Sequence, residues 1–324
     1  MKRILCALLA GSIVFTSNGQ SAIGIIKDDI PQAEKLIEAY FTPMAESFGS
    51  GLNNGWYNTA KPHKLGGFDI IFTLNTVIIP NTAETFNIQN AGGNIFTSNE
   101  TEASTIFGSS KNTEMTYNSS LSTPINGDDS LITPTFDMPG GFNTPALPLP
   151  MIQAGIGLVK KTAVDLRYIP TMNISNNINV DLFGIGLKHD LLQWIPAVGN
   201  TIPMSLSLQG GYTSLNTELK IVGQKVNLKT KTTTINLVAS KKILMVTGYA
   251  GIGYNSASTT FLADANFSLN DLIFTEKVEL DFKSNNTLRT NIGIRFNLTL
   301  LTIHADYTFA QYPTATLGLG VSLR

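Results

Sequence analysis

The side chains that could do chemistry are few and poorly arranged for it. Histidine occurs at His63, His189 and His304 only, at no spacing that suggests a metal site. The single cysteine, Cys6, lies in an N-terminal apolar run that is expected to be removed, so disulfides and thiolate metal sites are excluded from the mature chain. In His189-Asp190 a base stands directly beside a carboxylate. General-base chemistry would still need a hydroxyl nucleophile aimed at the imidazole, and no motif supplies one. Four Gly-x-Gly pairs recur, at Gly155/Gly157, Gly184/Gly186, Gly251/Gly253 and Gly318/Gly320. None continues to a third glycine or opens a helix, so no dinucleotide loop and no cofactor are expected. What remains is a set of charges: Arg167, Arg289 and Arg295 with Asp165, Asp306 and Asp281. Enclosed charges need partners or water. The expected pairs, Arg295 with Asp306 and Asp165 with Arg167, describe a lining rather than a reaction centre.

The elements that must position these charges are strands. From Leu288 to Leu300 the even positions are mostly apolar, while Arg289, Asn291, Arg295 and Asn297 alternate with them. The phase then switches, leaving Leu301, Ile303, Ala305, Tyr307 and Phe309 apolar against Thr302, His304, Asp306 and Thr308. Side chains alternate across a strand, so each arm has one apolar and one hydrogen-bonding face. An antiparallel hairpin turning at Leu300-Leu301 sets Arg295 opposite Asp306 and Asn297 opposite His304. Arms of about eleven residues suit a tilted strand crossing a bilayer, whereas soluble strands run to about five or six. The pattern predicts an all-β fold, a transmembrane antiparallel barrel.

Composition agrees. The chain has 324 residues, 43% hydrophobic but only 14% charged, with 28 glycines and a net charge of −1. Nucleic acid is an unsuitable partner, because it calls for a basic patch. Met1-Lys2-Arg3, the apolar run Ile4 to Phe15 and the small residues to Gly19 read as a signal peptide over 1–19, with a cut after Ala22 as the alternative. No other stretch is apolar enough for a membrane helix. An exported chain of alternating segments points to integration in a Gram-negative outer membrane.

Residues 20–65 form a separate segment. Pro31 suits a helix start, and Ala33, Leu36, Ile37, Tyr40 and Phe41 recur at helical spacing. Pro43 is expected to interrupt, with a short helical piece to Ser47 and a loop over Gly49 to Gly55. The segment either packs beside the barrel on its periplasmic side or fills the lumen; polar barrel interiors are often filled this way, which favours a plug. Leu36, Tyr40, Phe41 and Trp56 are its candidate substrate-path residues. The inward glycines Gly155, Gly157, Gly251 and Gly253 would then make room for it, with simple strand bending as the other explanation.

The barrel is expected over 66–324. Its strands are 67–79, two weak ones near 84–97 and 104–117, and then 149–158, 162–168, 178–190, 203–214, 229–240, 243–256, 259–270, 275–284, 287–299, 302–312 and 315–324. That makes about fourteen, with a range of 12–16. Residues 80–148, rich in Asn, Ser, Thr, Gly and Pro, read as a long surface loop. Leu191 to Ile202 breaks the rhythm and suggests a short amphipathic helix with Trp194 at a membrane interface, on a side the pattern leaves open.

The run from Leu52 to Asp69 (LNNGWYNTAKPHKLGGFD) and the run from Gly184 to Pro196 (GIGLKHDLLQWIP) resemble a family of uncharacterised outer-membrane barrels of Bacteroidetes-type bacteria. More distantly the chain resembles the long-chain fatty-acid and aromatic-hydrocarbon transporters, fourteen-stranded barrels closed by an N-terminal hatch. Their Asn-Pro-Ala signature has a counterpart in Asn58-Thr59-Ala60, without the proline. The resemblance implies passive passage of small hydrophobic molecules through a barrel among outer-membrane lipids; the sequence does not fix the oligomeric state, and a monomer is expected. The rival readings are a structural or surface-binding barrel and, more remotely, a hydrolase with His189 at its rim.

Overall fold

The period-two alternation closes a ring. The computed structural model describes residues 30–118, 135–175, 178–195, 203–221, 224–269, 272–284 and 288–323. The expected signal peptide over 1–19 and the stretch from Pro196 to Ile202 lie outside them. A helix, α1 (Ile30–Asn53), leads to β1 (Phe68–Ile78). Short elements follow: β2 (Thr85–Asn87), α2 (Ile88–Gly92), β3 (Phe96–Thr97), β4 (Glu102–Ser104), β5 (Thr113–Tyr117) and β6 (Thr135–Met138). The long strands are β7 (Ala146–Leu158), β8 (Thr162–Ser175), β9 (Ile178–Asp190), β10 (Ser205–Ile221), β11 (Gln224–Ile243) and β12 (Val246–Leu269). The last four are β13 (Leu272–Lys283), β14 (Leu288–Leu298), β15 (Leu301–Phe309) and β16 (Thr314–Leu323).

Ten strands form the closed barrel, in the order β1, β7, β8, β9, β10, β11, β12, β14, β15 and β16, with β16 returning to β1. Every pairing is antiparallel, so no strand of the ring has an open edge in the lipid. The count of fourteen is corrected for three reasons. The two weak strands belong to small sheets outside the wall, β2 with β4 and β3 with β5 and β6. The segments 243–256 and 259–270 are one continuous 24-residue strand, β12. That length lets one edge of β12 hold two partners, β14 from Val246 to Tyr254 and β13 from Ser258 to Leu269. β13 therefore stands outside the ring.

The hairpin at β14–β15 keeps its parity but not its register. The turn is Thr299-Leu300, with Thr299 at φ 60°, and Leu298 pairs with Leu301. Arg295 then faces His304, Gly293 faces Asp306 and Asn297 faces Thr302. The slip is two residues, which leaves every side chain on its expected face. A two-residue turn with a positive φ follows the strand twist, which a turn one residue later would not exploit.

Facing follows hydropathy. Phe68, Ile70, Phe72, Ile292, Phe296 and Leu319 project outward, while Asp69, Thr73, Asn75, Arg289, Arg295, Thr302 and His304 are buried inside. Tyr168, Tyr212, Tyr254 and Phe309 are exposed along the upper edge of this apolar band, where an aromatic girdle belongs. Beyond them the code inverts. On the far halves of β11 and β12 and on β13, Lys229, Lys231, Ser256, Ser258, Glu279, Asp281 and Lys283 point outward. Leu228, Phe261, Leu280 and Phe282 are buried inward. A wall that is apolar outside in lipid and apolar inside above it marks the bilayer boundary. The inward apolar residues join a core with residues of α1 and of 79–138, among them Leu36, Ile37, Tyr40, Ile88, Phe96, Met115 and Phe136. The 80–148 stretch, expected as a surface loop with two weak strands, thus contains, among its described residues, five short strands and a short helix that cap this crown. It buries its few apolar side chains against α1 rather than alone. At the opposite, rim end lie the turns at 159–161, 244–245 and 299–300, the start of β1 and the end of β16.

Candidate functional site

α1 enters at the crown and its C-terminal end lies within the barrel. It is one helix, not two pieces with a loop. Pro43 withholds an N–H from the carbonyl of Ala39, yet Thr42 Oγ1 donates to the Glu38 carbonyl (2.6 Å) and Ser47 Oγ to the Pro43 carbonyl (2.7 Å) around it. Gly49 and Gly51 do not break the helix. A Cβ at Gly49 would come within 2.7 Å of Ala257, and one at Gly51 within 2.4 Å of Leu149, so these glycines let the helix lie against the wall.

A helix end leaves its last carbonyls without intrahelical donors. Here the wall supplies them. Arg167, from β8, donates through Nη1 to the Leu52 carbonyl and through Nη2 to the Asn54 carbonyl, both at 2.8 Å. Arg289, from β14, donates to the Asn53 carbonyl at 2.7 Å. Two guanidinium groups thus sit at the negative end of the helix dipole. Asn75 Nδ2 donates to the Gly51 carbonyl (2.8 Å), and Thr308 Oγ1 to Asn54 Oδ1 (2.7 Å).

Residues 54–63 continue toward the rim end. The Arg167 guanidinium stacks on Trp56, 3.7 Å from the ring centroid. Gly186 and Gly211, side by side on β9 and β10, leave the space that the indole fills; a Cβ at either would come within 2.7 Å of it. Tyr57 Oη donates to Asn291 Oδ1 (2.7 Å) and lies against Gly251. Arg295 donates through Nη1 to Asn58 Oδ1 and through Nε to Asn297. Ser240 Oγ meets both Thr59 Oγ1 (3.2 Å) and the Ala60 N–H (3.0 Å). His63 Nε2 closes on Asp69 at 2.8 Å.

The candidate residues therefore divide. Leu36 and Tyr40 are buried in the crown core, and Phe41 packs on Phe261 with ring centroids 5.2 Å apart. Tyr40 Oη donates to the Gly140 carbonyl (3.0 Å), and burial raises the pKa of its hydroxyl. Trp56 sits apart from these three, in the lumen. Arg295 reaches Asn58 instead of facing Asp306, whose carboxylate accepts from Tyr249 Oη (2.8 Å). Arg167 spends its donors on the helix end and Gln153, with Asp165 buried nearby. Asp281 is not luminal; it is exposed on β13 and accepts from Thr260 Oγ1 (2.7 Å). Gly157 and Gly251 do face the luminal segment, whereas Gly155 and Gly253 face wall side chains. Sequence reading missed Asn54, Ser240 and Gly211. Inward parity was the available signal for Ser240 and Gly211, whereas Asn54 lies beyond the helix end and on no strand.

His189 stands at the rim end. Its Nε2 accepts from Trp194 Nε1 (2.9 Å), which leaves the proton on Nδ1 to be donated to Thr162 Oγ1 (2.8 Å). Thr162 Oγ1 in turn donates to the Lys160 carbonyl (3.2 Å). An imidazole used this way holds a turn in place and has no lone pair to activate the hydroxyl. Of the amphipathic helix expected over Leu191 to Ile202, the described residues form a single 3-10 turn, Leu192–Trp194. Among the described residues no group of His, Cys, Asp and Glu could hold a metal ion.

A closed antiparallel barrel with an apolar outer band and its own N-terminal segment tied through the lumen is a transmembrane barrel of the outer-membrane type. The chain belongs to a family of unknown function (DUF6588), whose model matches residues 1–323. The match assigns no function and does not support the expected Bacteroidetes-type origin. No curated protein matches the sequence. Among solved structures, the translocator domain of the autotransporter NalP from Neisseria meningitidis overlaps 89% of this chain and 96% of its own, at 9% identity and TM-score 0.29. The transport unit of the autotransporter AIDA-I from Escherichia coli overlaps 87% and 99%, at 10% identity and TM-score 0.38. The TodX monoaromatic hydrocarbon channel overlaps 81% and 67%, at 9% identity and TM-score 0.27. At such identities no residue correspondence follows.

Proposed function

We propose that the protein is an integral, monomeric outer-membrane barrel of a Gram-negative bacterium that passes small hydrophobic molecules, with α1 and residues 54–63 as the plug that closes it. The crown faces outward, because short turns belong to the periplasmic side and larger elements to the surface. One observation carries the solute class. Three apolar clusters succeed one another along the plug inside an otherwise polar barrel. They are the crown core around Tyr40, then Leu52 with Met151, Leu182 and Leu215, then Trp56 and Tyr57 with Val238 and Tyr249. An apolar solute replacing the plug's contacts stepwise would meet apolar surface at each level. A second reading, a sealed barrel that displays the crown, is favoured by the hydrogen bonds that fasten the segment from Gly51 to His63.

Engineered crosslinks separate the two. Ser50 Oγ lies 3.3 Å from Thr314 Oγ1, and Thr59 Oγ1 lies 3.2 Å from Ser240 Oγ. Cysteines at either pair are within disulfide reach, and the single native cysteine, Cys6, lies in the expected signal peptide. Uptake of an aromatic hydrocarbon into liposomes should stop when S50C/T314C or T59C/S240C is oxidised and return on reduction. Flux indifferent to both locks would contradict plug displacement, and no flux in any state would leave the display reading as the better one.

A further inference from the structure

The rim end has a chemistry of its own. The loop Val159–Lys161 joins β7 to β8, with Lys160 at φ 53° and Lys161 at φ 45°. Left-handed backbone is costly for residues with a Cβ, and hairpins in water give such places to Asn and Gly. Here two lysines hold them. The β11–β12 hairpin turns at Leu244-Met245, with Leu244 at φ 53° and 89% exposed, and Lys241 and Lys242 stand one residue before the turn. Lys61 and Lys64 are exposed on the approach to β1. Val159, Trp194, Ile195 and Met245 are exposed among them. Asp69, Asp165 and Asp190, the carboxylates at this end among the described residues, are all buried. The crown differs, since it exposes both signs, as at Glu279, Asp281 and Lys283. Six exposed lysines at one end of a chain with net charge −1 amount to a segregated field.

We propose that this rim is a binding surface for the headgroups of anionic phospholipids, centred on the Lys160-Lys161 turn beside Trp194. Apolar turn tips placed just below an apolar band settle into the boundary between acyl chains and headgroups. Lysines there extend their stems along apolar surface and deliver ammonium groups to the phosphates. The turn is braced for this: Gln193 Nε2 donates to the Lys160 carbonyl (3.0 Å) and the Asp190 N–H to the Lys161 carbonyl (3.1 Å). The same short segment carries Trp194, 63% exposed, at the interface. The inference concerns anchoring and register in the membrane, and it stands whether or not the barrel passes any solute.

The chain has two tryptophans, and the other, Trp56, is shielded in the lumen, so lipid-dependent quenching reports on Trp194. The folded protein would be placed in vesicles containing acyl-brominated phosphatidylglycerol or, at equal mole fraction, acyl-brominated phosphatidylcholine. The phosphatidylglycerol should win the site by about fivefold for each engaged lysine, and the preference should collapse in K160Q/K161Q. It should also collapse for the wild-type barrel in about 1 M salt, where screening reaches about 3 Å. Equal quenching by the two lipids in the wild-type barrel, or a preference that survives in salt, overturns the proposal even if the double variant fails to fold.

Discussion

Arg167 and Arg289 hold the junction between helix and lumen, and their loss should be felt there first. Arg167→Ala removes both donors from the Leu52 and Asn54 carbonyls and the cation from the face of Trp56. Buried hydrogen bonds from a charged donor contribute about 1.5–3 kcal/mol each, so the loss of two should be about 3–6 kcal/mol, read as a lower urea midpoint for unfolding in detergent. Arg167→Lys should recover only part of it, because a point charge cannot reach two carbonyls as a fork does. If Arg167→Ala left the midpoint unchanged, the helix end would not depend on the wall. Gly211→Ala is the complementary case. Its Cβ would meet the Trp56 ring at 2.6 Å, and overpacking of this kind costs about 1–3 kcal/mol. Parity made the inward placement of Arg295 and Asp306 legible, but not their partners. Alternation says which face a residue takes, while the partner depends on a register two residues away and on a segment from elsewhere in the chain.

Among the elements, β14 offers the cleanest test of facing. Ile292 lies at the middle of the strand and points to lipid, while Phe296 points the same way close to the turn at Thr299. Ile292→Arg should impair insertion by about 2–4 kcal/mol and Phe296→Arg by about 1 kcal/mol or less, since the cost of a charge falls toward the interface. Refolding into vesicles, followed by heat-resistant migration on gels, would show the difference; equal tolerance of both would contradict the band's position. The strands themselves were legible because each keeps one period. Part of the miscount came from the change of phase beyond Tyr254, where β12 runs on outside the bilayer with its apolar side turned inward. A switch of facing within one strand looks like a break between two. α1 was legible at its start but not at its end, because Pro43, Gly49 and Gly51 are read as breakers unless the wall they lie against is known. The crown was hidden for the same reason: its sparse apolar residues make a core only together with α1.

For the whole molecule, the direction of threading is the main consequence. α1 starts in the crown and the chain leaves the lumen at the rim to begin β1. Under the proposed orientation the start of α1 therefore faces the cell exterior. Lys35 and Glu38 are exposed on that part of the helix, and Lys161 is exposed at the opposite end. In intact cells, K35C and E38C should react with a membrane-impermeant maleimide and K161C should not; the reverse pattern would turn the molecule over. Under the proposed function the luminal segment is what blocks the lumen, since the hydrogen-bonded ring closes on itself without it. The most direct test is the conductance of the barrel in planar bilayers with residues 30–60 removed, after heat-resistant migration shows that it has folded. The wild-type protein should be silent and the deletion should show stepwise openings to small ions. A folded deletion barrel as silent as the wild type, or a wild type as conductive as the deletion, would contradict the claim.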